Sequence, residues 1–206
     1  MASATSKKLG GVVGVILAAV FAVEGGYVND SRDPGGETNH GITKKVAVAH
    51  GYTGDMRKLT QEAAASIYYE DYIAKPGFVP MIELAPAVAE ELVDTAVNTG
   101  ASKPSRWFQT ALNSLSKGGT DYPMIEVDGK VGSKAIASYK ALQKARGSVK
   151  ACELVLKLLD SQQAVYYMSL DKLNVYTAGW VMNRIGNVPV SKCKNYTGGF
   201  NATPST

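Results

Sequence analysis

A chain of 206 residues, 45% hydrophobic and 19% charged, can bury one good core or two small lobes sharing one, which excludes a largely disordered protein. The net charge of +4 suits a polyanionic surface such as a bacterial envelope. Its basic residues stand singly or in pairs such as Lys44-Lys45 and Arg57-Lys58, without the dense clusters of a nucleic-acid binder, so no nucleic-acid partner is expected.

The first eight residues are small and polar and end in Lys7-Lys8, and an uncharged run, Leu9 to Val23, follows. The run is short for a spanning helix and fits a signal-peptide core in length, yet no small-x-small cleavage site precedes Glu24. Two readings stay open: an uncleaved export segment, or the buried first helix of a soluble lobe. The run ends on a lone carboxylate, Glu24. A helix end packed on a core half-buries its last side chain, and desolvation raises a carboxyl pKa toward the range of a general acid. Gly25-Gly26 then turns the backbone, and Asp33-Pro34-Gly35-Gly36 has the composition of a tight reverse turn. If Tyr27 to Asp30 and Thr38 to Thr43 run extended, they form a small hairpin that carries Asp30, Asp33 and Thr38 over Glu24. Glycoside hydrolysis needs an acid at the leaving oxygen and a carboxylate or activated water at the anomeric carbon, and Glu24 with Asp30 or Asp33 meets that need.

Downstream, Thr43 to Gly51 reads as a short helix closed by Gly51, where His50 caps or packs. A second, amphipathic helix opens at Leu59-Thr60-Gln61-Glu62 and runs to about Ala74, with Ala64, Ile67, Tyr68 and Tyr72 at helical spacing and Pro76-Gly77 as its stop. Pro80 and Pro86 bracket an expected loop. Ala87 to Asn98 gives a further helix with Val88, Leu92, Val93, Ala96 and Val97 inward, on which Asp94 is expected to be a buried, hydrogen-bonded carboxylate and not a catalyst. A boundary falls at Ala101 to Pro104. Arg106 to Asn113 starts the next helix, Asp128-Gly129 marks a turn with a structural Asp, and a helix follows from Ser133 to Arg146. Lys150 to Leu173 is a long helical pattern with Leu154, Val155, Leu158, Leu159, Val165, Tyr166 and Met168 as its stripe. Trp180, flanked by apolar residues, is expected to anchor the core, and Ser191 to Thr206 to form a mobile polar tail. Cys152 and Cys193 lack metal-ligand spacing, as do His40 and His50, so neither metal nor cofactor is expected; one bridge and two free thiols both fit.

The string EGGYVND from Glu24, the DPGG turn and the TN-x-GIT ending together resemble the signature of the glycoside hydrolase family 108 muramidases, phage endolysins and related cell-wall enzymes. DTAVNTG from Asp94 resembles the same family, and the Q-x-A-L-N helix, the DG-x-x-G turn and Gly179-Trp180 to Arg184 resemble its peptidoglycan-binding half. The resemblance implies that Glu24 is the catalytic residue. Asp33 and Thr38 match the Glu, Asp, Thr order of other phage lysozymes, with Thr38 one residue short of the usual spacing. Asp30 stays the alternative to Asp33. Tyr27, Asn39, His40, Thr43 and Asn98 are the candidate substrate-binding residues. The implied fold is mainly α (α+β) and lysozyme-like, two lobes with a small β-hairpin after the catalytic helix. Its expected parts are residues 1–23, an apolar export segment or first helix; 24–102, a catalytic lobe; 103–190, a helical peptidoglycan-binding lobe; and 191–206, the tail. The implied activity is hydrolysis of the β-1,4 bond between N-acetylmuramic acid and N-acetylglucosamine for host lysis, by a monomer exported to the periplasm. Leu9 to Val23 resembles the signal-arrest-release segments of some phage endolysins, which implies transient tethering to the inner membrane. The rival readings are a lytic transglycosylase on the same glycan and a non-catalytic wall-binding protein.

Overall fold

The protein, seen as a computed structural model, is described at residue 11 and over residues 13–18, 26–29 and 36–195. It is mainly helical with one small antiparallel hairpin, and it forms two compact units that divide between Lys75 and Pro76.

In the first unit, residues 13–18 are helical, with Ile16 and Leu17 buried and Val15 exposed. The hairpin comprises β1 (Thr38–Asn39) and β2 (Ile42–Thr43), paired Thr38 to Thr43 and Asn39 to Ile42. Its two-residue turn places His40 at φ 50° and Gly41 at φ 72°. Both values are positive, the requirement of the hairpin turn that matches strand twist, and glycine meets it without steric cost. The hairpin expected between Tyr27–Asp30 and Thr38–Thr43 is therefore corrected. Thr38 to Thr43 folds on itself, and the earlier segment contributes a single bridge, Val28 N–H to the Thr38 carbonyl at 2.8 Å and Thr38 N–H to the Val28 carbonyl at 2.9 Å.

Helix α1 (Lys44–Ala49) leaves the hairpin at once, because the Thr43 hydroxyl accepts from the Val46 N–H and so satisfies one of the first-turn donors. It ends at His50, followed by Gly51 at φ 83°. Helix α2 (Gln61–Tyr69) begins the same way, with Thr60 accepting from Ala63 N–H at 3.2 Å. The chain then widens into a π turn, Glu70–Ala74, closed by Lys75 N–H on the Glu70 carbonyl. The extra residue turns Ile73 fully inward and leaves Tyr72 half-buried against Tyr68, ring centroids 5.4 Å apart.

The second unit starts with a close approach. Gly77 sits at φ 86°, and a Cβ there would collide with the Val131 carbonyl. The expected loop from Pro80 to Pro86 is instead helix α3 (Val79–Leu84), followed by α4 (Pro86–Thr99). Both prolines stand in a first turn, where the missing N–H would have no intrahelical acceptor anyway. Helix α4 is the centre of this unit and packs on α3, α5 (Ser102–Leu115) and α7 (Ser148–Met168). It is buried nearly all round: Val88, Leu92, Val93 and Ala96, but also Glu90, Glu91 and Thr95, while Val97 is only half-buried, contrary to expectation.

Helix α5 explains the Arg106 to Asn113 motif. Arg106, Gln109 and Asn113 lie at i, i+3 and i+7, one face of a helix, and all three clamp the following loop. The Arg106 guanidinium donates to the Val127 and Asp128 carbonyls. Gln109 donates to the Asp128 carboxylate at 2.7 Å and to the Lys130 carbonyl at 2.9 Å, and it accepts from Gly129 N–H. Asn113 both donates to the Ile125 carbonyl and accepts from its N–H, each at 2.8 Å. Asp128 thus holds the turn expected of it. Helix α6 (Ser133–Arg146) then sets Tyr139 against Phe108, 5.9 Å between rings.

Helix α7 ends at Met168, before the expected limit, and a 3-10 segment, Asp171–Tyr176, leads to α8 (Thr177–Arg184). Val165 and Met168 are exposed, because the inward face continues at four-residue spacing through Leu159, Gln163 and Tyr167. Trp180 is not a core anchor either. Helix α8 buries none of its residues, and Trp180 lies half-buried, stacked on Tyr167 at 5.0 Å.

The chain returns to α4 and α7 through polar ties. Arg184 and Asn187 donate to the two Asp94 oxygens at 2.8 and 3.0 Å, Gly186 N–H to Asp160 at 2.9 Å, and Lys192 to Glu90 at 2.6 Å. Asp94 therefore has the structural role expected of it. The tail's first residues are ordered, also against expectation: α9 (Lys192–Asn195) is held by a disulfide between Cys193 and Cys152 of α7. With the cysteines 41 positions apart in sequence, loop closure contributes about 4 kcal/mol in the chain-entropy account.

Candidate active site

Glu24, Asp30 and Asp33 lie outside the described residues. The described part of the motif is the hairpin and its neighbours, built around Glu37. That carboxylate accepts from the Tyr27 hydroxyl at 3.0 Å and from the Lys44 ammonium at 2.7 Å. The Lys44 hydrogen bond foremost, and the Tyr27 bond after it, hold the Glu37 carboxyl below its ordinary value. Arg57 lies over the Tyr27 ring, 5.4 Å from its centroid. Tyr27 is thus fixed at both ends, a ring under a cation and a hydroxyl on a carboxylate.

Of the other candidates, Thr38 is half-buried and donates its hydroxyl proton to the Gly36 carbonyl at 3.2 Å, so its oxygen is left to accept from a water. Asn39 is buried, and its amide donates to the Met56 carbonyl at 2.7 Å. Thr43 caps α1. These two side chains shape the hairpin. His40 occupies the first turn position, forced there by the two-residue loop. Asn98 lies on α4 in the second unit, exposed, with its amide on the Asp94 carbonyl.

Residues 17–100 match the family Glycosyl hydrolase 108, and residues 103–185 match the Predicted Peptidoglycan domain. The glycosyl hydrolase 108 match takes in 84 of the 206 residues, the amino-terminal part of the chain. A glycosyl hydrolase joined to a peptidoglycan domain is a peptidoglycan-hydrolysing cell-wall enzyme. The solved structure of Brucella abortus SagA is similar in fold, at 24% identity and a TM-score of 0.65, over 94% of this chain and 99% of that one. The fold is accordingly lysozyme-like. No curated protein matches this chain. The two family matches meet between residues 100 and 103, whereas the compact units divide at Lys75, because α4 packs on the helices that follow it.

Sequence reasoning gave no role to Glu37 or to Glu91. The signal for Glu37 was its place seven residues before Lys44, across a hairpin. Glu91 had none, since a Glu in the middle of a helix reads as a solvated residue. In the structure Glu91 is 1% exposed, donor to nothing, and accepts only from the Thr95 hydroxyl at 3.1 Å; its Oε2 has no partner. Burial first, then the nearby Asp160 and Asp94 charges, pushes its pKa up to about 8. A carboxyl protonated near neutrality is what a general acid must be, yet a glycan polymer cannot reach this one. Glu37 fails on the opposite ground, being reachable but held ionised. Neither replaces Glu24.

Glu91 makes a prediction about stability. Its folded pKa lies above the value of 4.5 of a free carboxyl, so the folded state binds the extra proton. The contribution is fully present below pH 4.5 and is lost as pH rises toward about 8. Urea midpoints measured at both ends of that window should fall with rising pH in the wild type and much less in Glu91→Gln. Equal slopes in the two proteins would contradict the assignment.

Proposed function

We propose that this enzyme cleaves the β-1,4 bond between N-acetylmuramic acid and N-acetylglucosamine, acting as a phage endolysin in host lysis. Glu24 protonates the leaving oxygen. Asp33, or Asp30 in its place, stabilises the oxocarbenium-like transition state or activates water, and Thr38 positions that water through its free acceptor. The observation that carries this reading is one chain holding both family matches, the first of which spans Glu24 to Thr43. Tyr27, held by Glu37 and Arg57, is placed to wall the glycan path with a fixed aromatic face. The test is release of reducing ends from purified cell walls. Binding without release would leave only a wall-binding protein.

We further propose export through Leu9 to Val23, uncleaved, followed by release from the membrane. The Cys152–Cys193 bridge supports this, because disulfides persist in oxidising compartments. Among the described residues no helix is long and apolar enough to cross a membrane. Fractionation of cells expressing the full chain should find it uncleaved in the membrane, moving to the soluble periplasm when the membrane potential is collapsed. Cytoplasmic protein alone, or an N-terminus cut near residue 24, would reject export by this route.

A further inference from the structure

The peptidoglycan-binding half carries a shallow groove of about 450 Å³ between α5 and α7. It is lined by Lys103 and Trp107 from α5 and by Leu158, Gln162, Val165 and Tyr166 from α7. All of these fall inside the match to the peptidoglycan domain.

Its chemistry is specific. Trp107 and Tyr166 form an angled pair, ring centroids 5.7 Å apart and planes at 57°, so the two rings make a corner and not a sealed stack. The Gln162 amide fixes this corner from behind, donating to the Trp107 carbonyl on one helix and the Leu158 carbonyl on the other, each at 3.0 Å. With both protons spent, the amide oxygen of Gln162 is left to accept from a ligand hydroxyl or N–H. Val165 is 62% exposed at the rim, an apolar side chain turned to solvent off the inward face of its helix. Lys103 leans over Tyr166, its ammonium 5.0 Å from the ring centroid and 3.2 Å from the Thr99 carbonyl. Among the described residues no carboxylate pairs with it, which separates it from Lys44, Lys75 and Lys192.

Apolar C–H faces, a methyl-bearing amide and a carboxylate are what these surfaces complement in turn: an aromatic corner, an aliphatic rim with one amide acceptor, and an unpaired cation held over a ring. We propose that this groove is a glycan-docking site for an N-acetylated sugar with a carboxylate-bearing substituent, the muramic acid unit of peptidoglycan, whose lactyl carboxyl is an amide to the stem peptide and whose free carboxylates belong to that stem. The sugar ring lies on Trp107, the acetamido group packs toward Leu158 and Val165 with its N–H on Gln162, and a carboxylate of the stem meets Lys103. The site holds the wall and contributes no group to bond cleavage. This rests on the reading of the chain as a peptidoglycan enzyme.

The test uses the full chain in a Glu24→Gln background, so that sacculi stay intact, and measures co-sedimentation with purified sacculi. Soluble disaccharide peptides from digested wall and a neutral N-acetylglucosamine oligomer serve as defined ligands in fluorescence titration. Trp107→Ala should weaken sacculus binding by on the order of tenfold, the loss expected of a central aromatic anchor. Lys103→Gln should weaken binding of the carboxylate-bearing ligand, leave the neutral oligomer unaffected, and flatten the salt dependence. Ser161→Trp fills the groove from an exposed rim position and should reproduce the Trp107 loss with an unchanged melting midpoint, which guards against a Trp107 variant that fails to fold. Binding by all three within about twofold of the parent would overturn the proposal. Reducing-end release by the chain with Glu24 intact is scored separately. No release with Trp107-dependent binding rejects the muramidase reading and keeps the groove, whereas release with groove-independent binding rejects the groove alone.

Discussion

Glu24→Gln should lose about 10²- to 10⁴-fold or more in turnover on purified walls, a barrier increase of about 3 to 5 kcal/mol, because Gln keeps the shape and cannot give a proton. Binding and melting midpoint should stay near those of the wild type, since the change removes a proton and no packing volume. The rival carboxyls sharpen the comparison. Glu91 is protonated near neutrality but buried, so Glu91→Gln should change the pH dependence of stability and leave the chemistry alone. Glu37 is kept ionised by Lys44 and Tyr27, so Glu37→Gln should act through the position of Tyr27 and not through proton donation. Activity of Glu24→Gln within about tenfold of wild type would sink the assignment of the general acid.

Asp33→Asn is expected to cost orders of magnitude in rate, the second largest effect, since its place after Glu24 resembles the Glu, Asp order of other phage lysozymes. Asp30→Asn is then expected to cost mainly stability, about 1 kcal/mol. A reversal of the two results would move the partner role to Asp30. If neither substitution slows turnover, the two-carboxylate mechanism is wrong and a single-Glu reaction replaces it.

Much of the helical framework was legible because its signals are local. Thr60 announces α2, Gly51 closes α1, and the 3.6-residue period sets α6 almost to the residue. The turn at Asp128-Gly129 and the structural role of Asp94 were legible for the same reason, a polar residue type at a position where only a paired one is tolerated. What was missed depends on partners distant in sequence. The turn at His40-Gly41 was hidden by reading Thr38 to Thr43 as one strand, although a residue followed by Gly between apolar or β-branched positions is a hairpin signal. The π turn at Glu70–Ala74 adds one residue to a helix, and no period announces it. Helix α3 was taken out of the count by its flanking prolines, which first-turn positions accommodate. Glu90 and Glu91 are buried only because Lys192, about a hundred residues away, and the neighbouring helices close over α4. Val165 was expected inside as part of the apolar stripe of its helix. Its exposure beside Trp107 and Tyr166 is what makes the groove visible, and no reading of one helix contains that fact. Of the catalytic set, the motif named Glu24, Asp30 and Asp33, while the structure describes the hairpin that follows them in sequence.

The central claim is hydrolysis of the muramic acid glycosidic bond by water, and the measurement that tests it most directly is mass spectrometry of wall digests made in ¹⁸O-labelled water. The account predicts fragments ending in a reducing N-acetylmuramic acid, each carrying one heavy oxygen at its anomeric carbon in digests read before exchange, and absent from the Glu24→Gln digest. Fragments ending in a 1,6-anhydro ring without label would contradict it, since they arise when the sugar's own hydroxyl and not water attacks the anomeric carbon.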